Sequence, residues 1–87
     1  MNAEDIILIE TCGACPEQYD AFYGRNKVGY LRLRHGTFYV KCPDVNGDTV
    51  YETESCIGDG IFEDEEREKY LTNAKKSISH YFNELNK

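Results

Sequence analysis

Four cysteines, at positions 12, 15, 42 and 56, are the residues whose type and spacing first suggest chemistry. Two thiolates three residues apart on a turn can share one tetrahedral zinc ion, which makes Cys12, Cys15, Cys42 and Cys56 a candidate structural zinc site. Paired zinc knuckles carry two such short spacings, and Cys42 and Cys56 lack the second one. The simpler expectation is four reduced thiols, partly buried at turns and strand ends. Asp44-x-Asn46-x-Asp48 places three oxygen ligands at calcium-loop spacing. Its sixth position is Thr49 instead of Gly and its twelfth is Ser55 instead of Glu, so Asx turn chemistry is expected there. His35 and His80 have no Ser, Cys or carboxylate at a diagnostic spacing, and Gly58-Asp59-Gly60 lacks the lysine of a phosphate-binding loop. These residues point to a non-enzymatic chain with no required cofactor.

Charge is organised more sharply than any catalytic pattern. The 87 residues carry a net charge of −6. Residues 1–24 hold five acids and no Lys or Arg, and residues 25–41 hold five bases and no acids. Residues 42–66 hold nine acids and no bases, and residues 67–87 hold five bases and two acids. Alternation by segment decides partners more than the total does. The total disfavours a protein whose whole surface binds polyanions, but leaves room for a local basic face.

The elements that position these residues follow from pattern. Ile6 to Glu10 reads as a short apolar strand, ended by the turn at Thr11–Pro16; in residues 18–23, Tyr19, Phe22 and Tyr23 fit one helical turn, but aromatic enrichment and the following Gly24 favour a strand. Val28 to Arg34 and Thr37 to Cys42 flank His35-Gly36, a two-residue hairpin loop in which Gly supplies a positive φ. That turn opposes Arg34 to Thr37, Leu33 to Phe38, Arg32 to Tyr39, Leu31 to Val40 and Tyr30 to Lys41. Alternation then puts Leu31, Leu33, Phe38 and Val40 on one face and Tyr30, Arg32, Arg34, Tyr39 and Lys41 on the other. Thr49 to Glu54 reads as a further strand, with Glu52 able to lie opposite Lys41. Glu63 to Glu66 fill the first turn of a C-terminal helix, where acids suit the dipole. Its apolar stripe is Tyr70, Leu71, Ala74, Ile78, Tyr81, Phe82 and Leu85, supported by the i,i+4 pairs Glu63–Arg67 and Glu65–Lys69. The expected fold is α+β: one compact domain over residues 1–87, in which a mainly antiparallel sheet of three to five strands carries one long helix on its apolar face.

Two surfaces of this fold suit partners. The acids Asp59, Glu63, Asp64, Glu65 and Glu66 form a face able to occupy the cationic groove of a protein partner, as a nucleic acid would, and this resembles small inhibitors encoded by phages and mobile elements. Tyr30 and Tyr39 can stack bases while Arg32, Arg34 and Lys41 contact phosphates, which makes the hairpin face a candidate nucleic-acid surface. A protein partner at the acidic face is the first expectation, nucleic acid at the basic face the second, and a zinc-stabilised module the third.

Three strings, Cys-Pro-Glu-Gln-Tyr-Asp (15–20), Gly-Tyr-Leu-Arg-Leu-Arg-His-Gly (29–36) and Gly-Asp-Gly-Ile-Phe (58–62), resemble those of small uncharacterised bacterial and phage proteins, and the resemblance implies no activity. The strand running into Cys12-Gly-Ala-Cys15 also resembles the opening of a thioredoxin or glutaredoxin domain. A hairpin stands where such a domain has a long helix, so that likeness stops at the motif. The longest apolar run, Ile6 to Ile9, is far short of the roughly 20 residues of a membrane helix, and the acidic start lacks the basic and apolar regions of a signal peptide. A cytoplasmic location without membrane partners is therefore expected.

Overall fold

A computed structural model describes residues 1–12 and 16–86. A single 3-10 turn, Ala3–Asp5, leads into β1 (Ile6–Cys12), β2 (Glu17–Tyr23), β3 (Asn26–Arg34), β4 (Thr37–Cys42), β5 (Asp48–Thr53) and α1 (Asp64–Leu85). The strands form one antiparallel meander in the order β1-β2-β3-β4-β5, with α1 laid against one face. Short connections force this order, because antiparallel neighbours need only a tight turn between them. Between β3 and β4 that turn is His35 (φ 53°) and Gly36 (φ 76°), two consecutive left-handed residues whose twist matches the strands.

The β3–β4 register is the one read from the hairpin, from Arg34 opposite Thr37 to Tyr30 opposite Lys41. Leu31, Leu33, Phe38 and Val40 consequently all face α1 and are fully buried. They meet Tyr70, Ala74 and Ile78 of the helix, while Phe62 stacks on Tyr70 with ring centroids 5.5 Å apart and packs edge-on against Phe38 at 5.0 Å. Each such large side chain contributes about 1.5–3 kcal/mol by leaving water. The helix sits close to the sheet because β3 offers Gly29 beneath Ile78; a Cβ there would lie 2.7 Å from Ile78 Cδ1. The apolar stripe weakens toward the C-terminus, where Leu85 is exposed.

Three local expectations are corrected. A bulge at Val50 of β5, opposite Val40 and Lys41, sets Lys41 opposite Thr49 and Glu52 opposite Tyr39, so Lys41 and Glu52 are not cross-strand partners. Arg67 turns away from Glu63 and bonds Glu17 and Asp64. Lys69 lies over the Tyr70 ring, 5.2 Å from its centroid, instead of pairing with Glu65. In the Asp44–Asp48 loop, Asp44 Oδ1 accepts the Asn46 N–H at 2.9 Å, the expected Asx turn, and Asp48 Oδ2 accepts the Tyr81 hydroxyl.

Candidate functional site

The sheet face opposite α1 carries no second layer among the described residues. Two rows cross it. One runs Ile9, Asp20, Tyr30, Lys41, Thr49 and the next runs Cys12, Gln18, Arg32, Tyr39, Glu52, with Arg34 and Thr37 beyond them at the hairpin tip. Since cross-strand neighbours share a face, all five residues of the sequence-derived basic set (Tyr30, Arg32, Arg34, Tyr39 and Lys41) are brought together here.

The rings of Tyr30 and Tyr39 lie 6.2 Å apart at a tilt of 42°. The Tyr30 hydroxyl donates to Gln18 Oε1 at 2.9 Å, which fixes its ring, and Lys41 Nζ stands 5.5 Å from the centroid of Tyr39. Arg32 lies between the tyrosines, and its hydrogen bond to Tyr39 holds the guanidinium pKa up. Its Nε is enclosed and has no hydrogen-bond partner. Burial, reinforced by Tyr39, pushes the Tyr30 hydroxyl up, so it stays a neutral donor at physiological pH. The ion pairs among the described residues are Lys27–Asp20, Arg67–Glu17 and Arg67–Asp64. Arg32, Arg34 and Lys41 therefore have no carboxylate within 4 Å among the described residues. Their charges are not consumed by the neighbouring acidic strand, and stacking planes lie between them.

The acidic set divides. Asp59, Glu63 and Glu65 are exposed, without an ion pair among the described residues. Asp64 is bound to Arg67 at 2.6 Å. Glu66 does not belong to the surface: it is buried, and its carboxylate accepts the backbone N–H groups of Ile57 and Gly58, each at 2.8 Å, and of Glu63 at 3.0 Å. Burial opposes its charge, yet those three donors outweigh burial and keep its pKa low. Its work is to fasten the loop of residues 54–63 to the start of α1. Backbone bonds from Glu17 to Gly60 O and from Gly36 to Asp59 O, both 2.7 Å, fasten the same loop to the sheet.

A further charged residue escaped the sequence reading. Glu17 sits on the apolar face of β2, 2% exposed. It accepts the Phe62 N–H at 3.0 Å, Arg67 Nε at 3.0 Å and the Tyr19 hydroxyl in a short bond. Burial would raise its pKa, but Arg67, Tyr19 and Phe62 together bring it below the ordinary value, while burial and Glu17 push the Tyr19 hydroxyl up. The available signal was a glutamate sharing the inward period of Tyr19 and Ala21.

The described cysteines do not converge. Cys12 lies in the outer row, Cys42 is fully buried on the opposite face, and Cys56 stands beside Tyr70. Cys15 lies outside the described residues. No group of three His, Cys, Asp or Glu among the described residues can hold a metal ion. Burial pushes the Cys42 thiol up to about 12, the reverse of what a thiolate ligand needs. No described helix is long and apolar enough to cross a membrane. The chain matches no family model, no curated protein and no solved structure.

Proposed function

We propose that this chain is a non-enzymatic binding module whose bare sheet face takes single-stranded nucleic acid. The observation that carries the reading is the grouping of Arg32, Arg34 and Lys41, none of them in an ion pair among the described residues, around the Tyr30–Tyr39 ring pair on a face that no described element covers. Unstacked bases lie on such rings for about 1–3 kcal/mol each, and flanking cations meet the phosphates. A duplex hides its base faces and gains nothing from the tyrosines, so single strands are favoured. The net charge of −6 opposes nonspecific attraction and limits the electrostatic share to a few local contacts. Three phosphate contacts to a single strand give a log–log salt slope of about −2.

The test is fluorescence anisotropy with labelled single-stranded DNA and RNA at low salt. Binding in the tens-of-micromolar range, weakened about 5- to 150-fold by Tyr39→Ala through lost stacking, is expected. An unchanged anisotropy for both oligonucleotides overturns the reading. A second reading rests on Asp59, Glu63 and Glu65, exposed and without an ion pair among the described residues, beside a well-fastened loop. On that reading they occupy a cationic groove of a protein partner. Pull-down at low and high salt decides it: a basic protein retained only at low salt supports it, and none in either condition removes it.

A further inference from the structure

We infer that β1 is a self-pairing edge, through which two copies of this chain join their sheets into one continuous sheet twice as wide. β1 hydrogen-bonds to β2 on one side and, among the described residues, has no strand on the other. An open edge presents a row of unpaired N–H and C=O groups, and folded proteins normally blunt it with charges, proline or a bulge. The opposite edge is blunted in this way: β5 bulges at Val50, opposite Val40 and Lys41, and exposes Asp48 and Glu52. β1 carries a bulge and an exposed carboxylate only at its far end, around Glu10 and Cys12. From Ile6 to Glu10 it runs in regular register with no Lys, Arg or Pro, and it leaves Ile7 60% and Ile9 53% exposed on the outer face. On the helix side, an open groove between β1 and α1 has apolar walls at Ile6, Leu8 and Leu71 and charged ones at Glu4, Glu68 and Lys75.

The sequence of the edge suits a second copy of itself. A two-fold axis through Leu8, normal to the sheet, sets Ile7 opposite the second copy's Ile9 on the outer face. Leu8 then meets its own counterpart over the two grooves. Glu10 falls beside Ile6 at the ends of the contact, where its carboxylate reaches water. Sliding by two residues one way opposes Glu10 to Glu4, and sliding the other way sets Glu10 against Leu8. Like charges or a carboxylate on a leucine penalise both alternatives, so one register is selected. The arrangement is isologous and closed, and keeps both helices on one side and both Tyr30–Tyr39 faces on the other. It stands on the edge geometry alone, independently of what the outer face binds.

The contact is one strand long, small beside the roughly 1,200 Å² of a stable interface, so the dimer should be concentration-dependent. Sedimentation equilibrium of the full chain from about 10 to 300 µM spans the affinity such a contact supports. Dimer growing in across this range is expected, and a monomer throughout overturns the proposal. Ile9→Lys places an edge charge at the seam and should abolish the dimer with unchanged circular dichroism; a dimer of equal strength in that variant also overturns it. Amide exchange of Ile7 to Ile9 in the unaltered chain gives a readout free of mutation. Exchange that slows with protein concentration supports the pairing, and exchange that ignores concentration contradicts it.

Discussion

Removing the Glu17 carboxylate is the sharpest test of how the helix is held to the sheet. Glu17→Ala leaves the Phe62 N–H without its acceptor and strips Arg67 of its buried counter-ion. Breaking a buried pair from one side costs about 3–5 kcal/mol. The Arg67 side chain is 31% exposed and can recover some water, which lowers the expected loss to about 2–4 kcal/mol. An 87-residue domain has roughly 4–13 kcal/mol in hand, so the change consumes a large share. At about 4–8 °C per kcal/mol, Tm should fall by about 8–30 °C. Replacing both partners, as Glu17→Leu with Arg67→Met, leaves no uncompensated charge and should cost about 2 kcal/mol less than the two single changes added together. Urea unfolding followed by circular dichroism measures the unaltered chain, Glu17→Ala, and the Glu17→Leu, Arg67→Met and double variants of the cycle. A loss below about 1 kcal/mol for Glu17→Ala, or strict additivity in the cycle, would refute the view that this pair clamps β2 to α1.

Acid should loosen the same clamp. The Glu17 and Glu66 pKa values are both lower folded than the ordinary value of 4.5, so their stabilisation is whole above that value and is lost as pH falls through the folded values. The urea midpoint should be flat from pH 7 to about 5 and drop steeply below 4.5, and Glu17→Gln should flatten part of that drop. Gly29→Ala drives a Cβ to within 2.7 Å of Ile78 Cδ1 and should cost about 1–3 kcal/mol, with Ile78→Val restoring part of it in the double variant. Cys42, fully buried with its thiol pushed up to about 12, should resist alkylation in the native protein at pH 8 and react only in denaturant; mass spectrometry showing Cys42 labelled as fast as Cys12 would contradict its placement.

The hairpin was legible because a two-residue turn leaves one register open, and that register sorts Arg32 and Tyr39 from Leu33 and Phe38 with no further information. The helix was legible from Tyr70, Ala74 and Ile78 at helical spacing. The register of β5 was not, since the bulge opposite Val40 and Lys41 is a backbone irregularity that no residue type announces. The roles of the helix-start acids were only half legible. All four suit the dipole, but Glu66 is taken inward because the loop of residues 54–63 brings two further backbone donors to it, and that loop is positioned by long-range contacts with Glu17 and Gly36. Glu17 stayed hidden for a similar reason, its partner Arg67 lying 50 residues away. The candidate face was readable in composition. That its bases lack carboxylate partners among the described residues is a fact of geometry.

Nuclear magnetic resonance titration with a short single-stranded oligonucleotide tests that face residue by residue. Saturable shifts confined to Tyr30, Arg32, Arg34, Tyr39, Lys41 and their outer-row neighbours are the predicted result. Shifts mapping to α1 or to the loop of residues 54–63 instead, or a spectrum that does not change, would contradict it.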